Sequence, residues 1–306
     1  MKAIRMHEPA GISGLVYEDA PVPAPMAGDV LVKVAACGIT HDELDWPTPM
    51  TCRNGHLLEA ITPGQEMSGV VVALGRGTAG FAVGDEVFGL TGGYRDGAAA
   101  EYVAVEARNV ALKPETVDHI HAAAVPRAGV TAWQALFDHG NLTSGQTVIV
   151  HGAGGAVGST AVQLARWAGA TVIGTGHGHS RSLVLELGAD RFVALDTDSL
   201  EDLAGRADLV FDTIGGDVIA RSPALLKPRG TLVSVVALQL HAERDDIKKV
   251  FFIQEPNRAQ LAELACLVDQ GHLRPQVGAV YPLAQAAQAY RAKSAGGLPG
   301  RIILQP

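Results

Sequence analysis

Apolar residues fall into two different rhythms along this chain. In the first third they come as short β-branched runs separated by turn residues. Val30-Leu31-Val32-Lys33-Val34 and Gly69-Val70-Val71-Val72-Ala73-Leu74 read as strands. Pro21-Val22-Pro23-Ala24-Pro25 cannot donate to a ladder and marks an extended edge segment before the first of them. Gly84-Asp85-Glu86-Val87-Phe88-Gly89 reads as a tight turn feeding a third. Many short strands with Gly and Pro turns predict a small barrel or sandwich.

From about residue 119 to residue 240 strands alternate with helices. His121 to Leu136 is Ala-rich and reads as a helix. Thr147-Val148-Ile149-Val150 is a short apolar strand of the kind covered on both faces. Val157, Ala161, Leu164, Ala165 and Ala168 recur at helical spacing, and Ala170-Thr171-Val172-Ile173-Gly174 is the next strand. Ser180 to Leu187 reads as a helix stopped by Gly188. Asp208-Leu209-Val210-Phe211-Asp212 and Thr231-Leu232-Val233-Ser234-Val235-Val236 are further buried strands. Repeated βαβ units imply a parallel, doubly wound sheet. Gln260 to Val268 and Leu283 to Ala292 read as helices, and Gly300-Arg301-Ile302-Ile303-Leu304 as a closing strand that returns to the first domain. The expected architecture is α/β: a β-rich domain of residues 1–118 and 266–306, interrupted by a nucleotide domain of residues 119–265. With Thr231–Val236 as its last strand the sheet would expose an apolar edge, which a homodimer would cover.

Composition agrees with a large folded protein. The chain has 306 residues, 47% apolar and 18% charged, enough for two cored domains and unlike a disordered chain. A net charge of −8 argues against a nucleic-acid or anionic membrane partner. Met1-Lys2-Ala3-Ile4-Arg5 regains charge too soon for a signal peptide, and no apolar run reaches the ~20 residues of a spanning helix. The three cysteines, Cys37, Cys52 and Cys266, form no CxxC pair. That usage fits a reduced, cytoplasmic setting and excludes a four-cysteine zinc site.

The chemical signal is strongest at His151-Gly152-Ala153-Gly154-Gly155-Ala156-Val157-Gly158, after an apolar strand and opening a helix. Glycines let backbone approach a pyrophosphate, and the helix N-terminus offers free N–H groups and a positive dipole end. The match to G-x-G-x-x-G puts Gly155 and Gly158 at the second and third positions and Ala153 at the first; a tight strand–helix turn without ligand is the plainer alternative. An NAD site places an acidic residue ~20 residues on, for the ribose 2′-hydroxyl. None occurs between Gly155 and Leu185. The strand ends in Gly174-Thr175-Gly176-His177-Gly178-His179-Ser180-Arg181 instead, with Arg181 to attract a 2′-phosphate and Ser180 and Thr175 to donate to it. The expected cofactor is therefore NADP(H). His177 and His179 could also hold a transition metal, but no third ligand is near in sequence.

Taken together, these segments resemble the medium-chain dehydrogenase/reductase superfamily, and within it the zinc-free quinone oxidoreductase (zeta-crystallin-like) branch. The likeness runs through Met1-Lys2-Ala3-Ile4, Cys37-Gly38-Ile39, Pro63-Gly64-Gln65-Glu66-Met67-Ser68-Gly69 and Val83-Gly84-Asp85-Glu86-Val87. It continues in Ala100-Glu101-Tyr102-Val103, Gly129-Val130-Thr131-Ala132-Trp133, the glycine loop, Leu187-Gly188-Ala189-Asp190 and Asp212-Thr213-Ile214-Gly215-Gly216. The resemblance implies a GroES-like β-barrel domain for substrate and a Rossmann domain for the nicotinamide cofactor, in a homodimer. Zinc-bearing relatives carry Cys and His where this chain has Thr40 and Gln65, and their third ligand has no counterpart between Ala122 and Thr131. Hydroxyl and amide are poor zinc donors, so no bound metal is expected.

Without a Lewis acid the favoured chemistry is hydride addition to an already activated acceptor: a quinone, or the β-carbon of an enone or enal. A pathway-specific enoyl reductase and a non-catalytic nucleotide-binding protein are the alternatives. By the resemblance, the stretch Thr40-His41-Asp42-Glu43 lines the active site. Thr40 could bond the substrate oxygen and His41 relay a proton, or Thr40 could cap a helix with Asp42 and Glu43 in its first turn. Tyr94, after Gly92-Gly93, could donate to substrate or lie on the surface. Gln65 is a pocket amide or a loop brace, and Trp46 lies in an insertion-like loop that shapes the pocket or merely covers the barrel. Thr131, Thr213, Ile214, Gly215, Val235 and Val236 are expected around the nicotinamide and its ribose.

Overall fold

The computed structural model describes residues 1–40, 43–45, 60–93, 95–236 and 244–306. The chain divides into two compact units. One is Met1–Arg127 with Pro256–Asp269 and Pro275–Pro306; the other is Ala128–Glu255 with Gln270–Arg274.

The first unit opens with β1 (Lys2–Met6) and β2 (Leu15–Asp19), an antiparallel pair. β3 (Asp29–Ile39), β4 (Glu66–Leu74), β5 (Glu86–Leu90), β6 (Tyr102–Glu106), β7 (Val110–Leu112) and α1 (His119–Ala123) follow. β3 is the organiser. It pairs with β4 along one side and with β6 at its start, and register shifts at Leu31/Val32 and Val34/Ala36 bend it between them. Its β-branched side chains Val30, Val32 and Val34 are buried in one cluster with Val71, Val87, Val103 and Val105.

α2 (Pro126–Trp133) leads out of this unit. The expected single helix from His121 to Leu136 is broken here, because Pro126 has no N–H to continue α1 and starts a new helix instead. The second unit then alternates: β8 (Thr147–His151), α3 (Ala156–Trp167), β9 (Thr171–Gly176), α4 (Arg181–Glu186), β10 (Arg191–Ala194), β11 (Ala207–Asp212), α5 (Gly216–Arg221), β12 (Leu226–Ser234) and β13 (Lys248–Phe251). All pair in parallel in the order β10-β9-β8-β11-β12-β13. The order reverses direction between β8 and β11, so the crevice at their carboxyl ends is where such a sheet takes ligands. Thr231–Val236 is not the sheet edge: β13 pairs along β12 from Thr231 to Ser234. Two lysines in the four residues of β13 hide it from an apolar pattern, and the edge argument for a homodimer falls with this correction.

The chain returns to the first unit as α6 (Arg258–Asp269), β14 (Val277–Pro282), α7 (Ala286–Ala295) and β15 (Arg301–Gln305), which pairs antiparallel with the end of β3. The boundaries expected at 118/119 and 265/266 move. His119 Nδ1 hydrogen-bonds Ser68 Oγ at 2.7 Å, tying α1 to β4. Asp269 accepts from the Thr116 N–H and hydroxyl at 2.9 and 2.8 Å, tying α6 to the chain after β7.

Ile149, fully buried at the middle of β8, packs in a cluster with Ile173, Val210 and Leu232. Ile149→Ala leaves a cavity that neighbouring strands cannot close, and lowers unfolding free energy by about 3 kcal/mol in urea denaturation.

Candidate functional site

The turn from β8 into α3 has the form a dinucleotide loop requires. Gly152 adopts a left-handed φ of +74°, and a Cβ there would strike Thr213 Oγ1. The tight-turn glycine is therefore Gly152, and Ala153, expected at the first motif position, is buried and donates its N–H to Thr175 O at 2.9 Å. A Cβ on Gly158 would run into Gly152 O, so helix and loop approach as closely as backbone permits. Gly155 caps α3 without any side-chain bond, leaving the first-turn amides of Ala156 and Val157 without a side-chain acceptor. Gly154 faces Ser180, whose Oγ a Cβ would strike.

Beneath the loop lies a layer of buried polar strand ends. His151, Thr175, Asp212 and Ser234 are each fully buried at or beside the ends of β8, β9, β11 and β12. His151 Nε2 lies 3.1 Å from Ser222 Oγ, which itself donates to Val218 O at 2.8 Å. The imidazole proton therefore belongs on Nε2, and Nδ1 accepts from the Thr175 hydroxyl at 2.7 Å. Burial pushes the His151 pKa down to about 4, against the opposing charge of Asp212. Asp212 accepts the N–H groups of Ile214 and Gly215 at 3.1 and 3.0 Å and the Ser234 hydroxyl at 2.9 Å. The Thr213 hydroxyl donates to His151 O at 2.7 Å. These bonds shape the turn that presents Ile214, 41% exposed, while Val236, 51% exposed, packs 3.0 Å from where a Gly215 Cβ would stand.

The acidic and basic groups past β9 differ from the expectation. Arg181 does not stand free for a phosphate: Nη2 pairs with Asp198 at 3.0 Å, Nη1 donates to Phe192 O, and the guanidinium lies over the Phe192 ring at 5.3 Å. Thr175 is not a free donor, since its hydroxyl serves His151. His177 and His179 are stacked, ring centroids 5.9 Å apart. Gly176 ends β9, and Val235 follows β12 with its N–H on Asp212 O at 3.3 Å. Thr131 is buried within α2.

In the first unit a polar cavity is lined by Glu43, Thr62, Gln65, Arg95 and the glycines 64, 93 and 97. Glu43 Oε1 accepts the Tyr290 hydroxyl at 2.6 Å and the Thr40 N–H at 2.9 Å, while its buried Oε2 has no hydrogen-bond partner among the described residues. Burial, the dominant influence, pushes this carboxyl up from its ordinary value; the Tyr290 and Thr40 bonds pull the other way. Thr40 thus contributes a backbone donor to Glu43. Gln65 Oε1 accepts from Arg127 Nη1 at 2.8 Å. Glu66, fully buried, is ion-paired with Arg301 Nε at 2.6 Å and accepts the Arg127 N–H at 2.9 Å. His41, Trp46 and Tyr94 lie outside the described residues. Sequence reasoning passed over His151, Asp212, Arg127 and Tyr290 as site residues and set Glu43 aside as a helix-turn acid. Only a histidine and an aspartate closing apolar strands offered a signal.

Two units of this kind, a bent β-unit and a six-stranded parallel sheet with a glycine turn at its switch point, define a dehydrogenase/reductase of the alcohol dehydrogenase type. Residues 26–115 match the alcohol dehydrogenase GroES-like domain, and residues 187–304 match the zinc-binding dehydrogenase family. A probable zinc-binding oxidoreductase, mitochondrial, of Arthroderma benhamiae is 33% identical over 95% of this chain and 93% of that protein. The quinone oxidoreductase of Sus scrofa is 31% identical over 99% of this chain and 97% of its own. The structure of the quinone oxidoreductase from Coxiella burnetii has a TM-score of 0.91 at 27% identity, covering 100% of this chain and 99% of that one. The chain belongs to the medium-chain dehydrogenase/reductase superfamily, with quinone oxidoreductases among its relatives, and is an oxidoreductase of a class that uses nicotinamide cofactors.

The zinc of the family's name does not fit the described donors. Gln65 offers an amide whose oxygen is held by Arg127, Glu66 is held by Arg301, and the buried Cys37 thiol faces Gly38 O at 3.5 Å. Among the described residues no three His, Cys, Asp or Glu side chains converge as a metal site, and no helix is long and apolar enough to cross a membrane.

Two stability effects follow from these groups. His151 binds its proton near pH 4 when folded and near 6.5 when unfolded. Between those values the unfolded chain holds more protons, so stability falls as pH falls from 6.5 to 4, by on the order of 3 kcal/mol. His151→Asn loses that slope in thermal melts across the range. Tyr290→Phe removes the donor to Glu43 Oε1, raises the carboxyl pKa further, and costs about 1–3 kcal/mol in urea unfolding.

Proposed function

We propose that this chain is a zinc-independent reductase that transfers hydride from a reduced nicotinamide dinucleotide to a small electrophile, either a quinone or the activated C=C of an enone or enal. The observation that carries this reading is Gln65: the position that holds a zinc-binding histidine in metal-bearing relatives is an amide whose oxygen is bonded to Arg127. A group so engaged polarises and positions, but does not ionise an alcohol. Reduction of an acceptor that already spreads charge onto its own oxygen needs only alignment and hydrogen-bond donors.

The dinucleotide, when bound, supplies hydride from C4 of its nicotinamide. Ala156 and Val157 offer amides, with the α3 dipole behind them, to its diphosphate. Thr213 and Asp212 hold the turn that sets Ile214 as an apolar wall. In the first unit Glu43 is a buried carboxyl displaced toward its protonated form and bordering a polar cavity with Gln65. It is suited to give up the proton that balances the hydride, so that an enone gains hydride at the β-carbon and a proton at the α-carbon or oxygen.

Oxidation of NADH and NADPH, followed by absorbance against a panel of quinones, enals and enones, tests the reading. Turnover is expected with at least one acceptor class, and dialysis against a chelator leaves the rate unchanged. Inactivity on every acceptor, or loss on chelation with recovery on adding zinc, overturns it. Gly158→Val, which cannot seat its side chain against Gly152 O, is expected to abolish dinucleotide binding in a fluorescence titration.

A further inference from the structure

We propose that Asp196, delivered by the loop after β10, selects NAD(H) over NADP(H) at the adenosine ribose. The proposal rests on the reading of the second unit as a nicotinamide dinucleotide site and goes further, to which dinucleotide it takes.

The ribose of a dinucleotide on a doubly wound sheet lies past the carboxyl end of the strand that follows the glycine loop. That strand is β9, and its own exit, His177 to Arg181, holds no carboxylate. The neighbouring strand provides one. β9 and β10 run in register to Gly176↔Ala194, and Leu195 N–H extends the ladder by bonding Gly176 O at 2.9 Å. Asp196 therefore emerges beside Gly178. Both its oxygens face the Gly178 N–H, at 3.1 and 3.3 Å, and lie 3.5 Å from where a Gly178 Cβ would stand. The side chain is exposed, so lone pairs remain for a ribose hydroxyl.

Positive charge that would offset Asp196 is already committed. Arg181 is the sole Lys or Arg in the exit from β9, and Asp198 binds it while also accepting the Ala194 N–H at 2.9 Å and the Thr197 hydroxyl at 3.1 Å. No lysine occurs between Gly152 and Leu200; Arg191 opens β10, at the amino edge of the sheet, and Arg166 pairs with Asp190 at 3.3 Å. The Thr175 hydroxyl is also committed, to His151. A 2′-phosphate entering here meets an unneutralised carboxylate, whereas a 2′-hydroxyl meets an acceptor. The acidic residue of such sites ordinarily ends the second strand itself; here the third strand supplies it, which is why the exit of β9 alone suggests the phosphate-bearing cofactor.

The test is calorimetric titration of the intact protein with NADH and with NADPH, paralleled by 5′-ADP and 2′,5′-ADP. NADH is expected to bind about tenfold or more tighter than NADPH, an energy difference that one charge contact supplies. Asp196→Asn removes the charge and the free acceptor oxygen while its amide oxygen still accepts the Gly178 N–H, and is expected to tighten NADPH and weaken NADH, lowering the preference for NADH by about tenfold or more. Asp198→Asn frees Arg181 and is expected to shift the ratio the same way. Thermal melts of the variants check that the turn survives. NADPH binding tighter to the parent protein, or an unchanged NADH/NADPH ratio in Asp196→Asn, overturns the proposal and makes Asp196 a turn brace only. Binding of neither dinucleotide nor either ADP fragment overturns instead the nicotinamide reading on which it stands.

Discussion

The second unit depends on keeping buried strand ends hydrogen-bonded. A parallel sheet covered on both faces excludes water, and a polar group stranded there costs about 1–3 kcal/mol. The chain meets this at its carboxyl edge with side chains rather than solvent. His151, Thr175, Asp212 and Ser234 have no exposed surface, and each bonds a neighbouring strand end or the turn beyond it. Because this layer satisfies the strand ends, the loops above it are free to be shaped for a ligand. Gly152 turns sharply because it has no side chain, Thr213 Oγ1 fills the space that a side chain would need, and Thr213 is held there by its bond to His151 O. The glycine turn and the buried histidine are one device.

The first unit solves the same problem with charge, in two different ways. Glu66 is neutralised by Arg301, itself almost wholly buried, and receives the Arg127 amide; such a pair is costly to desolvate but costlier to break. Glu43 has no cationic partner of that kind. Two hydrogen bonds at Oε1 hold it in place, and burial drives it toward the neutral acid. One carboxylate is thus held in a buried ion pair, and burial displaces the other toward its protonated form.

Much of the fold is legible in the sequence because its strongest elements are locally determined. β8 reads as a buried strand from four consecutive apolar or β-branched residues, and α3 from the spacing of Val157, Ala161, Leu164 and Ala165. The glycine loop reads because φ +74° at Gly152 and the contact at Gly158 admit no other residue. What escapes is set at long range. β13 is two lysines, a valine and a phenylalanine, and becomes a strand only because β12 offers it a ladder. The break at Pro126 is local and could have been seen; the bond from His119 to Ser68 that carries α1 into the first unit could not. Glu43 and Tyr290 are 247 residues apart, so no window along the chain joins them.

Arg181 shows most plainly why residue type alone misleads about charge. Beside His177 and Ser180 it reads as an anion receptor, because the window from Gly155 to Leu185 contains no acid. Folding brings a different strand to the same edge. The turn after β10 carries Asp198 within 3.0 Å of the guanidinium and Asp196 onto the amide of Gly178, so the lip that looks cationic in sequence is anionic in space. A parallel sheet makes this reversal natural: successive strands are separated by a helix in sequence but lie side by side at their carboxyl ends. The exit loops of β9 and β10 therefore have to be read together, and the charge a ligand meets is their sum.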